Sequence, residues 1–109
     1  TNGILYVTTA TGIYKYTPGN NAWANISPVQ NADYVALGID PNNPGQVLTA
    51  RHWWGFYNPI YRTTNSGANW TEMTNYSKSS SVPWLPDDHW TASVFTLTID
   101  PFNTNRAYY

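Results

Sequence analysis

From Ile4 onward, short apolar runs alternate with turn residues. The order is Ile4-Leu5-Tyr6-Val7-Thr8, a bend at Ala10-Thr11-Gly12, Ile13-Tyr14-Lys15-Tyr16, a bend at Pro18-Gly19-Asn20-Asn21, then Trp23 to Ile26. No apolar spacing of helical period persists long enough for a helix, so the pattern predicts an antiparallel meander. Ser27 to Ala32 reads as a polar connection, and Tyr34-Val35-Ala36-Leu37-Gly38-Ile39 as an apolar strand buried on both faces. Asp40-Pro41-Asn42-Asn43-Pro44-Gly45 concentrates the residues that make tight turns. Gln46 to Ala50 is the next strand, and it runs into Arg51 to Trp70.

The pattern then repeats. Ile13-Tyr14-Lys15 lines up with Ile60-Tyr61-Arg62 and Trp23 with Trp70, both 47 positions apart. Leu37-Gly38-Ile39-Asp40-Pro41 lines up with Leu97-Thr98-Ile99-Asp100-Pro101 at a spacing of 60, the additional residues falling in a long loop after Met73. A strand-only repeat of roughly 40–50 residues marks the blades of a β-propeller. The expected fold class is therefore all-β, with antiparallel four-stranded blades. Residues 1–32 form a partial blade, 33–74 a complete one, 75–93 a long aromatic loop and 94–109 the first strands of the next blade. The chain starts without Met and stops at Tyr108-Tyr109 inside an expected strand, as a piece of something larger would. Trp23 and Trp70, at equivalent positions, are expected in the core between sheets. Asp40 and Asp100, each preceding Pro at equivalent positions, are expected to make turns.

Because each strand reverses direction, alternate connections emerge at the same edge of a blade. The turns 40–45 and 63–69 therefore share one edge. The opposite edge receives 51–58 and 74–93, and these two loops hold most of the aromatic surface: Trp53, Trp54, Phe56 and Tyr57 in the first, Trp84 and Trp90 in the second.

Composition narrows what such loops could meet. A net charge of −1 with 10% charged residues gives no electrostatic footprint for nucleic acid or an anionic membrane. There is no cysteine, so neither a disulfide framework nor a thiolate metal site is possible. No apolar run approaches membrane-spanning length. The 17% aromatic content, weighted to Trp and Tyr, suits either a sheet core or a sugar-binding surface.

Trp53 and Trp54 are the leading candidates for glycan contact. A pyranose ring presents C–H groups of slight positive charge, which suit the negative face of an indole. Adjacent residues in an extended chain point opposite ways, so one of the pair is open to a core reading. Tyr57, His52, Trp84 and Trp90 are further substrate-binding candidates, with anchoring of the loops as the alternative for the two tryptophans. Asp87, Asp88 and His89 invite an acid/base reading, but inverting hydrolysis needs carboxyl groups roughly 6.5–9.5 Å apart, which sequence neighbours rarely reach. A solvated loop, or hydrogen bonds to sugar hydroxyls, is expected there instead. Neither a metal site nor a cofactor is expected.

Thr63-Thr64-Asn65-Ser66-Gly67-Ala68-Asn69-Trp70 resembles the Asp-box turn of sialidase-like propellers (the BNR repeat), with Asn65 for the usual Asp and Asn69 for the usual Thr. Thr63, Asn65, Gly67 and Trp70 would be its structural residues. The wider order of motifs resembles glycoside hydrolase family 74: Leu5 to Thr8, Trp53-Trp54, Ile60 to Thr64, Pro83-Trp84 and Ile99 to Asn105. That resemblance implies a secreted, xyloglucan-degrading enzyme of two propellers, with the substrate cleft between them and two catalytic aspartates in blades outside this chain. The chain itself would contribute cleft wall, with a xyloglucan-like β-glucan and the remaining blades as partners. It would carry no catalytic residue and, alone, no hydrolytic activity. A second reading stays open at this stage, a non-catalytic Asp-box propeller whose aromatic loops meet a protein partner.

Overall fold

A computed structural model describes residues 3–52, 59–73 and 96–108. Within them every regular element is a strand, in three antiparallel sheets. The first holds β1 (Leu5–Thr9), β2 (Gly12–Thr17) and β3 (Ala22–Asn25). The second holds β4 (Asp33–Ile39), β5 (Val47–His52), β6 (Ile60–Thr63) and β7 (Thr71–Glu72). The third holds β8 (Thr98–Ile99) and β9 (Ala107–Tyr108).

The repeat seen in the sequence is reproduced in the hydrogen bonds. Ile26 N donates to Ile13 O at 2.9 Å, and Met73 N donates to Ile60 O at 2.8 Å. Asp40 Oδ1 accepts from the amides of Asn42 (2.8 Å) and Asn43 (3.2 Å), and Asp100 Oδ1 from those of Phe102 (2.8 Å) and Asn103 (3.2 Å). The two Asp-Pro turns are thus one design used twice: each carboxylate satisfies two amides that the bend removes from any ladder.

The second sheet is packed on both sides. Ala36, Leu48, Ala50 and Ile60 meet Leu97 and Ile99 of the third sheet's segment in one buried cluster. Gly38 lies there because a Cβ would stand 2.9 Å from the Leu97 carbonyl oxygen. Toward the first sheet, Tyr34 and Tyr61 bury against Ile13 and Ala32, with Ile26, Val29 and Trp70 packed around them. Burying such side chains stabilises by about 1.5–3 kcal/mol each, so these two clusters hold the sheets together.

Polar bonds fix how the sheets sit along each other. Lys15 Nζ donates to Ser66 O (3.1 Å), and Trp70 Nε1 to Ile26 O (2.6 Å). On the other side Asn42 Nδ2 donates to Pro101 O (2.7 Å) and Gln46 Nε2 to Thr104 O (3.0 Å). Gln46 also accepts from Arg62 Nη2 at 2.6 Å, so one buried amide ties three segments.

Two expectations need correction. Trp23 is not core: it is 51% exposed, with its ring tilted against Tyr16 at 5.4 Å. Trp70 is covered because the connection after β3 lies over it, and among the described residues no sheet stands in that relation to Trp23. Strand β4 is not buried on both faces either. Tyr34, Ala36 and Gly38 are buried, but Val35 and Leu37 are only partly so and Ile39 is exposed. The side carrying Leu37 and Ile39 looks toward β1, a single edge strand that covers it incompletely.

Candidate functional site

The β1–β2 and β3–β4 connections, the end of β5 and the start of β6 lie at one edge of the sheets, and the Asp-Pro turns and the 63–70 turn lie at the other. Contact between two short turns at that second edge is direct, as Ser66 N donates to Gly45 O at 2.9 Å. The candidate site belongs to the first edge, where β5 ends at His52 and the aromatic stretch begins.

Of the substrate-binding candidates, His52 is the one the described residues include. Trp53, Trp54, Tyr57, Trp84 and Trp90, and with them Asp87, Asp88 and His89, lie outside the described residues. His52 Nδ1 stands 3.6 Å from Asp33 Oδ2, both side chains partly exposed. A bulge creates this pair. Continued from Ile39↔Val47, a straight ladder would set Tyr34 opposite His52, but the register shifts between Tyr34 and Ala36, so that Tyr34 faces Arg51 and Asp33 faces His52. Sequence reading passed over Asp33, since only the extra residue in the strand brings it beside the histidine. The bulge also sends Tyr34 and Ala36 to opposite sides of the sheet, one into each cluster.

Elsewhere along this edge stand neutral hydrogen-bonding side chains. Asn25 Oδ1 accepts from Ser27 Oγ (2.6 Å) and Ser27 N (3.0 Å), and its amide nitrogen donates to Gln30 Oε1 (3.0 Å). Ser27 Oγ in turn accepts from Ile13 N at 2.9 Å. The Tyr34 hydroxyl accepts from Val29 N (2.9 Å) and donates to Val29 O (3.0 Å), anchoring the connection into β4. Burial raises the Tyr34 pKa above the ordinary tyrosine value; the Val29 backbone bond offsets part of the rise, Tyr61 adds to it and the Arg51 charge opposes it.

Chemically, the edge offers a carboxylate, an imidazole and amide groups, which suit hydroxyl recognition. Asp40 and Asp100 are held in turns at the other edge and do not join Asp33 in a catalytic pair. Among the described residues no three His, Cys, Asp or Glu side chains group to hold a metal ion, and no helix is long and apolar enough to cross a membrane.

The 63–70 turn closes on itself. Thr63 Oγ1 donates to Asn65 Oδ1 (2.9 Å) and accepts from Gly67 N (3.0 Å), and Asn65 Oδ1 accepts from Asn69 N (2.9 Å). Ser66 and Gly67 both take positive φ, 58° and 86°. Gly67 is required twice over, since a Cβ would also lie 2.5 Å from Ile26 Cδ1. The turn therefore locks the sheet to its neighbour, and it takes no part in the opposite edge.

No family model matches the chain. A xyloglucanase from Paenibacillus sp. is 26% identical across 99% of the chain, which spans 14% of that relative's length. Among solved structures, the GH74 xyloglucanase from Xanthomonas campestris superposes with a TM-score of 0.67 at 26% identity, over 88% of this chain and 15% of that one. The GH74 enzyme from Niastella koreensis superposes with a TM-score of 0.69 at 21% identity, over 95% of this chain and 18% of that one. By sequence and by fold, the chain thus matches a segment of the glycoside hydrolase family 74 β-propeller enzymes, about one complete antiparallel blade with parts of its two neighbours.

Proposed function

We propose that the chain is part of a secreted glycoside hydrolase acting on xyloglucan or a related β-1,4-glucan, and that it contributes a stretch of substrate-cleft wall. The observation that carries this reading is the similarity to xyloglucanases along essentially the whole chain. In this reading Trp53 and Trp54 form a stacking platform, with Tyr57, Trp84 and Trp90 as further ring contacts. His52, held by Asp33, offers a hydrogen bond to a sugar hydroxyl. The 63–70 turn is an Asp-box variant with a structural role, Thr63, Asn65, Gly67 and Trp70 being its working residues. The catalytic carboxylates come from other blades, so the chain alone does not hydrolyse glycan.

The test uses the intact parent protein and compares the wild type with Trp53→Ala/Trp54→Ala for binding to xyloglucan and release of reducing ends. Weakened binding or altered turnover, with an unchanged circular dichroism spectrum, supports the platform. A parent that neither binds nor cleaves any β-glucan overturns the reading.

A further inference from the structure

The bulge between Tyr34 and Ala36 decides what stands beside His52. With Ile39 opposite Val47, a straight ladder would set Tyr34 against His52 and carry Asp33 one position past it; the bulge moves the register so that Asp33 faces His52 and Tyr34 faces Arg51. Residues directly opposite share one face of a sheet, and neighbours along a strand alternate. Asp33 and His52 therefore continue the row of Ala36 and Ala50 from the buried cluster out to the part-exposed edge. Arg51 stands on the other face with Tyr34, where its charge acts on the Tyr34 hydroxyl. The carboxylate is thus directed to the imidazole and away from the guanidinium. A bulge that re-aims a side chain in this way is a recurrent device beside functional sites.

The base of the carboxylate is fixed. Asp33 stands between two buried residues, Ala32 and Tyr34, and the Tyr34 hydroxyl is held by both backbone polar groups of Val29. His52 Nδ1 lies 3.6 Å from Asp33 Oδ2, an electrostatic contact somewhat longer than a formed hydrogen bond. Such contacts are commonly long in an unliganded site and tighten on binding. An ionised carboxylate only accepts, and a neutral imidazole has one donating and one accepting nitrogen. With a bare Nδ1 lone pair toward Asp33, two acceptors would oppose each other; with the proton on Nδ1, donor meets acceptor. The proton therefore belongs on Nδ1, which makes Nε2 the accepting nitrogen. In a free histidine side chain the neutral ring prefers its proton on Nε2, so the pair reverses the ordinary tautomer.

We propose that Asp33 is a positioning residue for glycan contact. It orients the His52 ring and keeps the proton on Nδ1, so that Nε2 presents a lone pair and the group recognised there is a sugar hydroxyl acting as donor. Asp33 acts through His52 and does not itself meet the sugar. The inference rests on the glycan reading above and adds to it the direction of the hydrogen bond and the residue that sets it.

The experiment uses the intact parent protein as wild type, Asp33→Ala, His52→Ala and the double variant. Both side chains are partly exposed, so the fold should tolerate the changes. Nitrogen NMR with isotope-labelled histidine identifies the His52 ring by its loss in His52→Ala and reads which nitrogen carries the proton on the neutral ring. The expected result is Nδ1–H in the wild type and Nε2–H in Asp33→Ala. A wild type with Nε2–H, or an Asp33→Ala protein that keeps Nδ1–H, overturns the proposal; the wild-type reading stands even where Asp33→Ala fails to fold. Calorimetric titration with a xyloglucan oligosaccharide should show each single variant binding about 3–10-fold more weakly. The double variant should bind no more than about twofold more weakly than His52→Ala, since Asp33 acts through the ring. Losses that multiply, or an unchanged affinity in His52→Ala, would overturn the proposal. A parent that binds no β-glucan overturns the glycan reading and the role toward sugar with it, whereas the wrong tautomer in a parent that does bind overturns the positioning role alone.

Discussion

The indole nitrogen of Trp70 lies 2.6 Å from the carbonyl oxygen of Ile26, a bond across 44 residues that ties the second sheet to the connection leaving the first. The same ring packs beside Tyr61 and Ile13, so one side chain supplies both apolar cover and a directed hydrogen bond. Trp70→Phe keeps most of the cover and orphans the carbonyl. It should cost about 1–2 kcal/mol of unfolding free energy, read from urea titration. Trp23→Phe should stay within about 0.5 kcal/mol because that ring is half in water. Equal losses at the two sites would mean that the equivalence in sequence outweighs the difference in cover.

Gly67 and Gly19 both hold positive φ, 86° and 95°, but only Gly67 is hemmed in. A Cβ at Gly67 would meet Ile26, and one at Gly19 would meet nothing within 4 Å. Gly19→Ala should therefore cost only the backbone penalty of about 1–2 kcal/mol. Gly67→Ala should exceed it, and a double change with Ile26→Ala should cost less than the sum of the two single losses, because cavity and clash share one space. Thermal melting of the wild type, the three single variants and the double change checks this.

Asp40 and Asp100 make the same turn in different surroundings. Asp40 is 1% exposed and also lies 3.4 Å from Gln46 Nε2, while Asp100 is only partly buried. Asp40→Ala should cost about 1–3 kcal/mol, because the bonds of a buried carboxylate to Asn42 N, Asn43 N and the buried Gln46 Nε2 are lost together. Asp100→Ala should cost less, because water can take over its amides and its 3.8 Å pairing with Arg106 is a surface contact of small worth. Urea titration of the two variants should rank them in that order.

Tyr34 gives the fold an alkaline limit. Its folded pKa is raised, chiefly by burial, above the value of about 10 expected for an unfolded tyrosine. Its contribution is therefore complete below about pH 10 and is lost as pH rises through the folded value, since the unfolded chain ionises first. Stability measured between pH 8 and 11 should fall at the upper end. Tyr34→Phe should lower stability at neutral pH by about 1–3 kcal/mol, as Val29 loses both partners, and should flatten the alkaline decline.

The alternation of apolar and turn residues was enough to define an all-β chain, and the matched spacings of Ile13 with Ile60 and Asp40 with Asp100 were enough to define the repeat. Both are local: strand periodicity, and Asp, Asn, Pro and Gly at bends, act within a few residues. Thr63 and Asn65 close their own turn with side chains present in the sequence, and that too was legible. What the sequence could not determine depended on neighbours. Trp23 and Trp70 occupy equivalent positions, yet among the described residues only Trp70 has a connection lying over it. The Tyr34–Ala36 bulge, invisible in the apolar pattern, moved the ladder by one residue, set Asp33 beside His52 and sent Tyr34 and Ala36 to opposite clusters. A strand pattern specifies which residues alternate, but the register and the cover of each face are decided where sheets meet, by contacts between residues far apart in the chain.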